Sequence, residues 1–135
     1  SSFGSNFVKQ IIKLSLKKEI LEVVNDQFGT PTYARDLAQA IIIIISSKKF
    51  NTACNNCEIF HFSNQGKCTW YEFAKFITKY KKINCKLIPI KYKKLKRKTR
   101  RPKSTILSKK KIMNAFNLKI NNWKSSLINC LKLIK

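Results

Sequence analysis

The sequence predicts an α/β fold, and three stretches carry that expectation. Residues 20–24, ILEVV, form a short apolar run rich in the side chains that favour strands. A polar, turn-rich segment leads from it directly into a helix signal. Strand, loop and helix therefore succeed one another within about two dozen residues, a spacing that suits α/β connections. Further along, Thr69-Trp70-Tyr71-Glu72 is a capping box that opens a second helix after a glycine-containing turn. With 135 residues, 44% of them hydrophobic, the chain is sized for one domain or part of one, and its composition argues against disorder.

Taken in order, Phe7 to Lys18 reads as an amphipathic helix. Phe7, Ile11, Leu14 and Lys18 sit at helical spacing, as do Val8, Ile12 and Leu16, and Asn6 is placed to cap the start. Ile20 to Val24 is the first strand. The loop Asn25-Asp26-Gln27-Phe28-Gly29 is rich in hydrogen-bonding side chains, and loops held by rigid elements on both sides are where binding residues tend to sit. The helix Tyr33 to Ser47 follows. Thr30 or Thr32 is placed to cap it, Pro31 sits where a first turn tolerates proline, and Asp36 lies near the positive end of the helix dipole. Its second half, Ala40 to Ile45, is apolar nearly all round and is expected to be covered on several sides.

Residues 46–56 read as a polar loop, expected to be variable and mobile. Glu58 to Phe62 is aromatic and weakly alternating, so it reads as a strand, with His61 a packed strand residue and no carboxylate spaced to orient it as a base. After the turn at Ser63 to Cys68, the capping-box helix runs to about Tyr80. Trp70, Phe73, Ile77 and Tyr80 mark its expected buried face. Cys85 to Ile90 reads as another short strand. Ser108 is placed to cap a short helix ending near Phe116. A last helix, residues 122–134, sets Trp123, Leu127, Cys130, Leu131 and Ile134 at helical spacing.

The formal net charge of +23 invites a nucleic-acid reading. The makeup of that charge argues against it. The cations are 25 Lys and 4 Arg, accompanied by 18 Ile and 12 Asn, the residue types that AT-rich codons specify. A specific nucleic-acid binder is expected to lean on the planar fork of arginine. The charge is expected to give weak affinity for polyanions as a consequence of composition, with no specific nucleic-acid partner. Five cysteines, Cys54, Cys57, Cys68, Cys85 and Cys130, are an odd number at irregular spacing, which disfavours a secreted disulfide scaffold. The single C-x-x-C at Cys54 and Cys57 has only His61 nearby, so free thiols and no metal site are expected. The longest apolar stretch is too short for a bilayer and no signal-peptide pattern opens the chain, so no membrane association and a cytoplasmic setting are expected.

Residues 26–38, DQFGTPTYARDLA, resemble a segment of the dTDP-4-dehydrorhamnose reductases, which are extended short-chain dehydrogenase/reductases. Other motifs agree in family order. They are Gly4-Ser5-Asn6-Phe7-Val8, then Phe60-His61-Phe62-Ser63-Asn64 with Gly66, then Thr69-Trp70-Tyr71-Glu72-Phe73-Ala74, then Arg101-Pro102 with Leu107, and last Trp123 with the terminal helix. Five motifs in register cover nearly the whole chain. The resemblance implies the C-terminal, substrate-binding part of an NAD(P)-binding Rossmann-type fold over residues 1–135, incomplete without an N-terminal coenzyme half. That missing half is itself an expected partner, and the parent enzyme is a possible homodimer. The resemblance places Glu58 to Phe62 as a late strand of the parallel sheet that the coenzyme half begins.

The resemblance also implies a dTDP-sugar ligand and, in the parent enzyme, NADPH or NADH with a Tyr/Lys pair assisting proton transfer. This chain shows no glycine-rich turn after a strand, so it is expected to bind no coenzyme and to hold no catalytic residue of its own. Tyr71 and Lys75 have the Tyr-x-x-x-Lys spacing but fall within a different family segment, and Tyr92 and Lys96 match in a lysine-rich run. Residues 91–101, KYKKLKRKTRR, depart most from the family. Leu95, Lys96 and Lys98 stand where a tyrosine and two prolines are usual, which loosens the loop.

Four residues are substrate-binding candidates. Arg101 is the phosphate candidate, because guanidinium matches phosphate geometry and stays charged. Asn6 corresponds to a family asparagine near the nucleotide sugar, and it is equally a helix cap. Asp26 and Gln27 either shape the sugar pocket or fix their own loop, the loop role being preferred. Three functions compete: the C-terminal part of a reductase, a non-catalytic nucleotide-sugar-binding or regulatory subunit, and a cationic nucleic-acid binder.

Overall fold

The computed structural model describes residues 4–48, 50, 57–95 and 101–134. The fold is mixed α/β. Helix α1 spans Phe7–Ser15 and is capped by Asn6, whose Oδ1 accepts the Lys9 amide at 3.0 Å. Strand β1, Ile20–Val24, runs parallel to β4, Lys86–Ile90, with Ile20 opposite Lys86 and Val24 opposite Ile90. Between them in sequence lie β2 (Phe28–Gly29), α2 (Ala34–Ile45), β3 (Cys68–Thr69) and α3 (Trp70–Tyr80). A 3₁₀ turn, Tyr92–Leu95, follows β4, and α4 (Lys110–Phe116) and α5 (Trp123–Lys132) close the chain.

Two cores hold these elements. In the larger, Ile11 of α1, Val23 of β1, Phe73, Ala74 and Ile77 of α3, and Trp123, Leu127 and Leu131 of α5 are all buried. Phe73 and Phe76 meet the Trp123 ring edge-on at centroid distances of 5.7 and 5.5 Å, an arrangement that aromatic quadrupoles favour. The smaller core joins Ala40 of α2 to Ile112 of α4 and to Leu118, with Phe60, Phe62 and Phe116 packed against it.

The capping box at α3 forms as its sequence requires. Thr69 Oγ1 accepts the Glu72 amide and Glu72 Oε2 accepts the Thr69 amide at 2.8 Å.

Other expectations are corrected. The N-cap of α2 is Tyr33, not Thr30 or Thr32, and it makes no side-chain cap bond of its own. A distant residue satisfies that helix end: Tyr33 N–H donates to Asn64 Oδ1 at 2.8 Å, while the Thr30 hydroxyl donates to the Gly66 carbonyl. The isoleucine run of α2 is not covered on several sides. Ile42 is 64% exposed and Ile41, Ile43 and Ile45 are exposed as well, because only the Ala40 side of the helix meets the smaller core.

Glu58 to Phe62 forms no strand, having no paired neighbour among the described residues. Phe60 and Phe62 turn onto the smaller core, Lys111 Nζ donates to the Ile59 carbonyl at 3.1 Å, and His61 is exposed instead of packed. On α3, Trp70 and Tyr80 are 44% and 38% exposed, so the buried face is Phe73, Ala74, Ile77 and Thr78. Helix α4 starts from Lys109 without a side-chain cap bond, so Ser108 does not cap it.

Candidate functional site

The site is assembled where three chain segments meet at Phe28. Its amide donates to the Lys103 carbonyl at 2.8 Å and its carbonyl accepts the Thr105 amide at 2.9 Å. On the other side β2 pairs antiparallel with β3, Phe28 opposite Thr69 and Gly29 opposite Cys68. Residues 27–31, 68–73 and 101–105 are thereby drawn around one cleft of about 220 Å3. Gly29 makes the junction close: a Cβ there would lie 3.0 Å from Thr105 Oγ1, so a side chain would press on the 101–105 segment.

The cleft has apolar and aromatic walls, with Phe28, Trp70 and Phe73 among its lining residues. Phe28 and Trp70 keep 42% and 44% of their surface exposed. Trp70 is braced from behind by Phe7 of α1, their ring centroids 4.6 Å apart. Arg101 is the one charged side chain among the described lining residues and is exposed. Cys68 is buried in the wall. Burial first, and the Glu72 carboxylate second, push its thiol up to about 12 against a smaller opposing pull from Lys124, so it is a neutral wall residue.

The four residues singled out in the sequence separate. Arg101 and Gln27 both line the cleft. Gln27 is buried, and its Nε2 meets no acceptor among the described residues. Asp26 holds the loop: its Oδ1 accepts the Tyr92 amide at 2.9 Å. Asn6 caps α1 outside the cleft, and reaches the site only through Phe7 at the head of that helix.

Lys75 Nζ sits 6.0 Å from the centroid of the Tyr71 ring on α3, and neither residue lines the cleft. The Tyr92 and Lys96 pair and the Cys54 and Cys57 pair each include a residue outside the described ones, and residues 49, 51–56 and 96–100 of the polar loop and the basic run lie outside them too. The described cysteines are free, and among the described residues no cluster of three or more His, Cys, Asp or Glu could hold a metal.

Sequence reasoning missed the residue that ties the start of α2 to α5. Asn64 is fully buried. Its Oδ1 takes the Tyr33 amide, and its Nδ2 faces Asp36 Oδ2 at 2.5 Å, Ser126 Oγ at 2.9 Å and the Asn121 carbonyl at 3.2 Å. One amide thus ties the N-terminus of α2 to α5, and with it the preceding cleft residues Thr30 and Pro31. In the sequence Asn64 figures only as the last residue of the Phe60 to Asn64 motif beside Gly66, with no role assigned.

The family model described as RmlD substrate binding domain matches residues 1–135. Among curated relatives, the chain is 36% identical over 124 residues to the spore coat polysaccharide biosynthesis protein SpsK of Bacillus subtilis, covering 92% of this chain and 41% of the relative. It is 32% identical over 130 residues to a dTDP-4-dehydrorhamnose reductase of Sinorhizobium fredii, covering 93% of this chain and 44% of the relative. Among solved structures it is similar to the dTDP-4-dehydrorhamnose reductase of Bacillus anthracis, solved in complex with NADP. That match has a TM-score of 0.84 at 32% identity and covers 98% of this chain and 44% of that one.

The fold is therefore that of part of an extended short-chain dehydrogenase/reductase, and the chain spans less than half the length of the proteins it matches. The sequence holds no glycine-rich turn of the kind that cradles a dinucleotide's phosphates. The three glycines, Gly4, Gly29 and Gly66, fall in separate parts of the chain, and no two share one turn.

Proposed function

Because the chain belongs to the RmlD substrate binding domain family, we propose that it supplies the nucleotide-sugar-binding part of a dTDP-4-dehydrorhamnose reductase. The parent reaction reduces the C4 keto group of dTDP-4-dehydro-L-rhamnose with NADPH or NADH. This chain's share is recognition: it binds and orients the dTDP-sugar, and the chemistry belongs to residues it does not contain. We place it in the cytoplasm, a setting consistent with the free thiols of its described cysteines.

The observation that carries the reading is the lone cation in an otherwise neutral cleft. Arg101 has no ion-pair partner among the described residues. A diphosphate offers the bidentate acceptor its guanidinium lacks. The cleft at about 220 Å3 is smaller than the roughly 300–1,000 Å3 of pockets that enclose a whole ligand. It takes one portion of a nucleotide sugar, and the remainder lies beyond it.

Calorimetric titration of dTDP into the full chain tests this. Arg101→Ala should weaken binding by about 1.5–3 kcal/mol, the size of a charge-assisted hydrogen bond. Arg101→Lys should recover only part of the loss, because it offers a point charge in place of a fork. Lys94→Ala should change little, since Lys94 is exposed and paired with Glu22. Equal losses at Arg101 and Lys94 would reduce the site to a diffuse positive field.

A further inference from the structure

We propose that the groove between α3 and the start of α5 docks an acidic polypeptide segment of a partner protein, its carboxylates on Lys67, Lys75, Lys79 and Lys124 and an apolar side chain on Phe76.

The groove follows from the register of α3. Phe73, Ala74 and Ile77 turn one face of the helix into the larger core. Glu72, Lys75, Phe76 and Lys79 stand at i, i+3, i+4 and i+7, so they form the neighbouring stripe. Lys67, from the turn before β3, and Lys124, in the first turn of α5, complete the walls of a groove of about 290 Å3. It shares no lining residue with the cleft around Phe28, so it stands apart from the nucleotide reading.

Its cations are not neutralised from within. All four lysines are exposed, and none forms an ion pair among the described residues. Two lie near aromatic rings: Lys75 Nζ is 6.0 Å from the Tyr71 centroid and Lys124 Nζ 5.7 Å from that of Trp123. Such contacts orient an exposed ammonium and leave its charge in place. Four like charges around one groove repel each other, and an anionic guest relieves that repulsion.

Charge and donor chemistry then choose the guest. A second copy of the chain is a poor one, since each brings 29 Lys and Arg against 6 Asp and Glu. Nucleic acid also fits poorly. The Trp123 ring at the groove is only 4% exposed, so it offers no face for a base to stack on. Glu72 lies among the lysines, with Oε2 taking the Thr69 amide at 2.8 Å and its other oxygen taking no hydrogen bond among the described residues. That oxygen asks for a donor. A DNA sugar-phosphate backbone has none, whereas a polypeptide carries an amide N–H beside its carboxylates. Phe76 is half-buried, and an apolar side chain of the guest covers it together with the lysine stems.

Fluorescence anisotropy tests this on the full chain, with a fluorescein-labelled oligoglutamate peptide carrying one central leucine as the probe. Thermal melts confirm that each variant folds. Wild type should bind the peptide at about 150 mM salt, where long-range fields are screened. Lys75→Gln combined with Lys79→Gln should weaken binding about tenfold, the worth of two ion pairs. Lys13→Gln combined with Lys17→Gln removes the same charge from exposed positions outside the groove and should weaken it by no more than about twofold. Serine in place of the probe's leucine should weaken binding about threefold, a partial loss of apolar burial. Equal losses in the two charge-matched variants, or no binding by wild type, overturn the groove. An unchanged affinity for the serine probe overturns the part assigned to Phe76. Tighter binding of an oligothymidylate of equal charge, with the same loss at Lys75 and Lys79, overturns the polypeptide guest in favour of nucleic acid.

Discussion

Gly66 has φ +88°, and a Cβ there would lie 2.9 Å from Trp123 Cδ1. Any side chain must therefore strain the turn and push on the central tryptophan of the larger core. Gly66→Ala should lower stability by about 1–3 kcal/mol, read as a drop in the urea midpoint with unchanged slope. A midpoint within error of wild type would show that the turn relaxes freely. Cys68 gives a prediction of the opposite kind, an absence of reactivity. With its thiol pushed up to about 12, mainly by burial, the thiolate fraction at pH 8 is on the order of one in ten thousand. Pulse alkylation read by mass spectrometry should label exposed Cys57 rapidly and leave Cys68 unlabelled until the chain unfolds. Comparable labelling of both would mean that the cleft wall opens in solution. The Gly66 constraint could not be read locally because Trp123 comes from α5, and Cys68 is buried where β3 pairs with the distant β2.

Among the elements, those with self-contained signals were legible. The Thr69 and Glu72 capping box, the Asn6 cap and the ILEVV strand each name their own partners within a few residues, and each forms. The elements misread are those whose partners are distant. The α2 cap comes from Asn64, thirty-one residues beyond Tyr33 in the chain, and no helix-start rule looks that far. Glu58 to Phe62 has strand composition, but a strand is a relation between two segments and its expected neighbours belong to the coenzyme half, so among the described residues it stays unpaired while Phe60 and Phe62 pack on the smaller core. Of the cleft, Arg101 and Gln27 were visible as residue types, while Trp70 as an exposed wall was not, because helical spacing assigns it to a buried stripe. The bare isoleucine face of α2 also tests at this scale. Ile42→Lys removes the most exposed of the run, so the melting temperature should hold within about 2 °C, a surface-substitution effect. Light scattering at high protein concentration should fall. Undiminished scattering would locate the sticky surface elsewhere.

For the whole molecule, the question is what these 135 residues can do by themselves, and charge and glycine content answer it in different ways. A formal net charge of +23 spread mostly over lysines will attract any polyanion. That attraction should decay steeply between about 50 and 200 mM salt, as counterion release requires. Binding of dTDP through Arg101 involves few charges and should change much less over the same range. Hydride transfer is a stricter matter. It requires a nicotinamide held against the substrate's keto carbon, and holding a dinucleotide requires backbone amides brought close to its phosphates by clustered glycines. With Gly4, Gly29 and Gly66 in separate parts of the chain, and with Tyr71 and Lys75 together on α3 and neither lining the cleft, we assign this chain binding of the substrate and not its reduction. The chain mixed with dTDP-4-dehydro-L-rhamnose and NADPH should leave absorbance at 340 nm constant, while titration of dTDP into the same preparation gives saturable heat. Steady NADPH consumption that tracks the purified chain through gel filtration would mean that a coenzyme site exists here without glycines, and that recognition and chemistry are not divided as proposed.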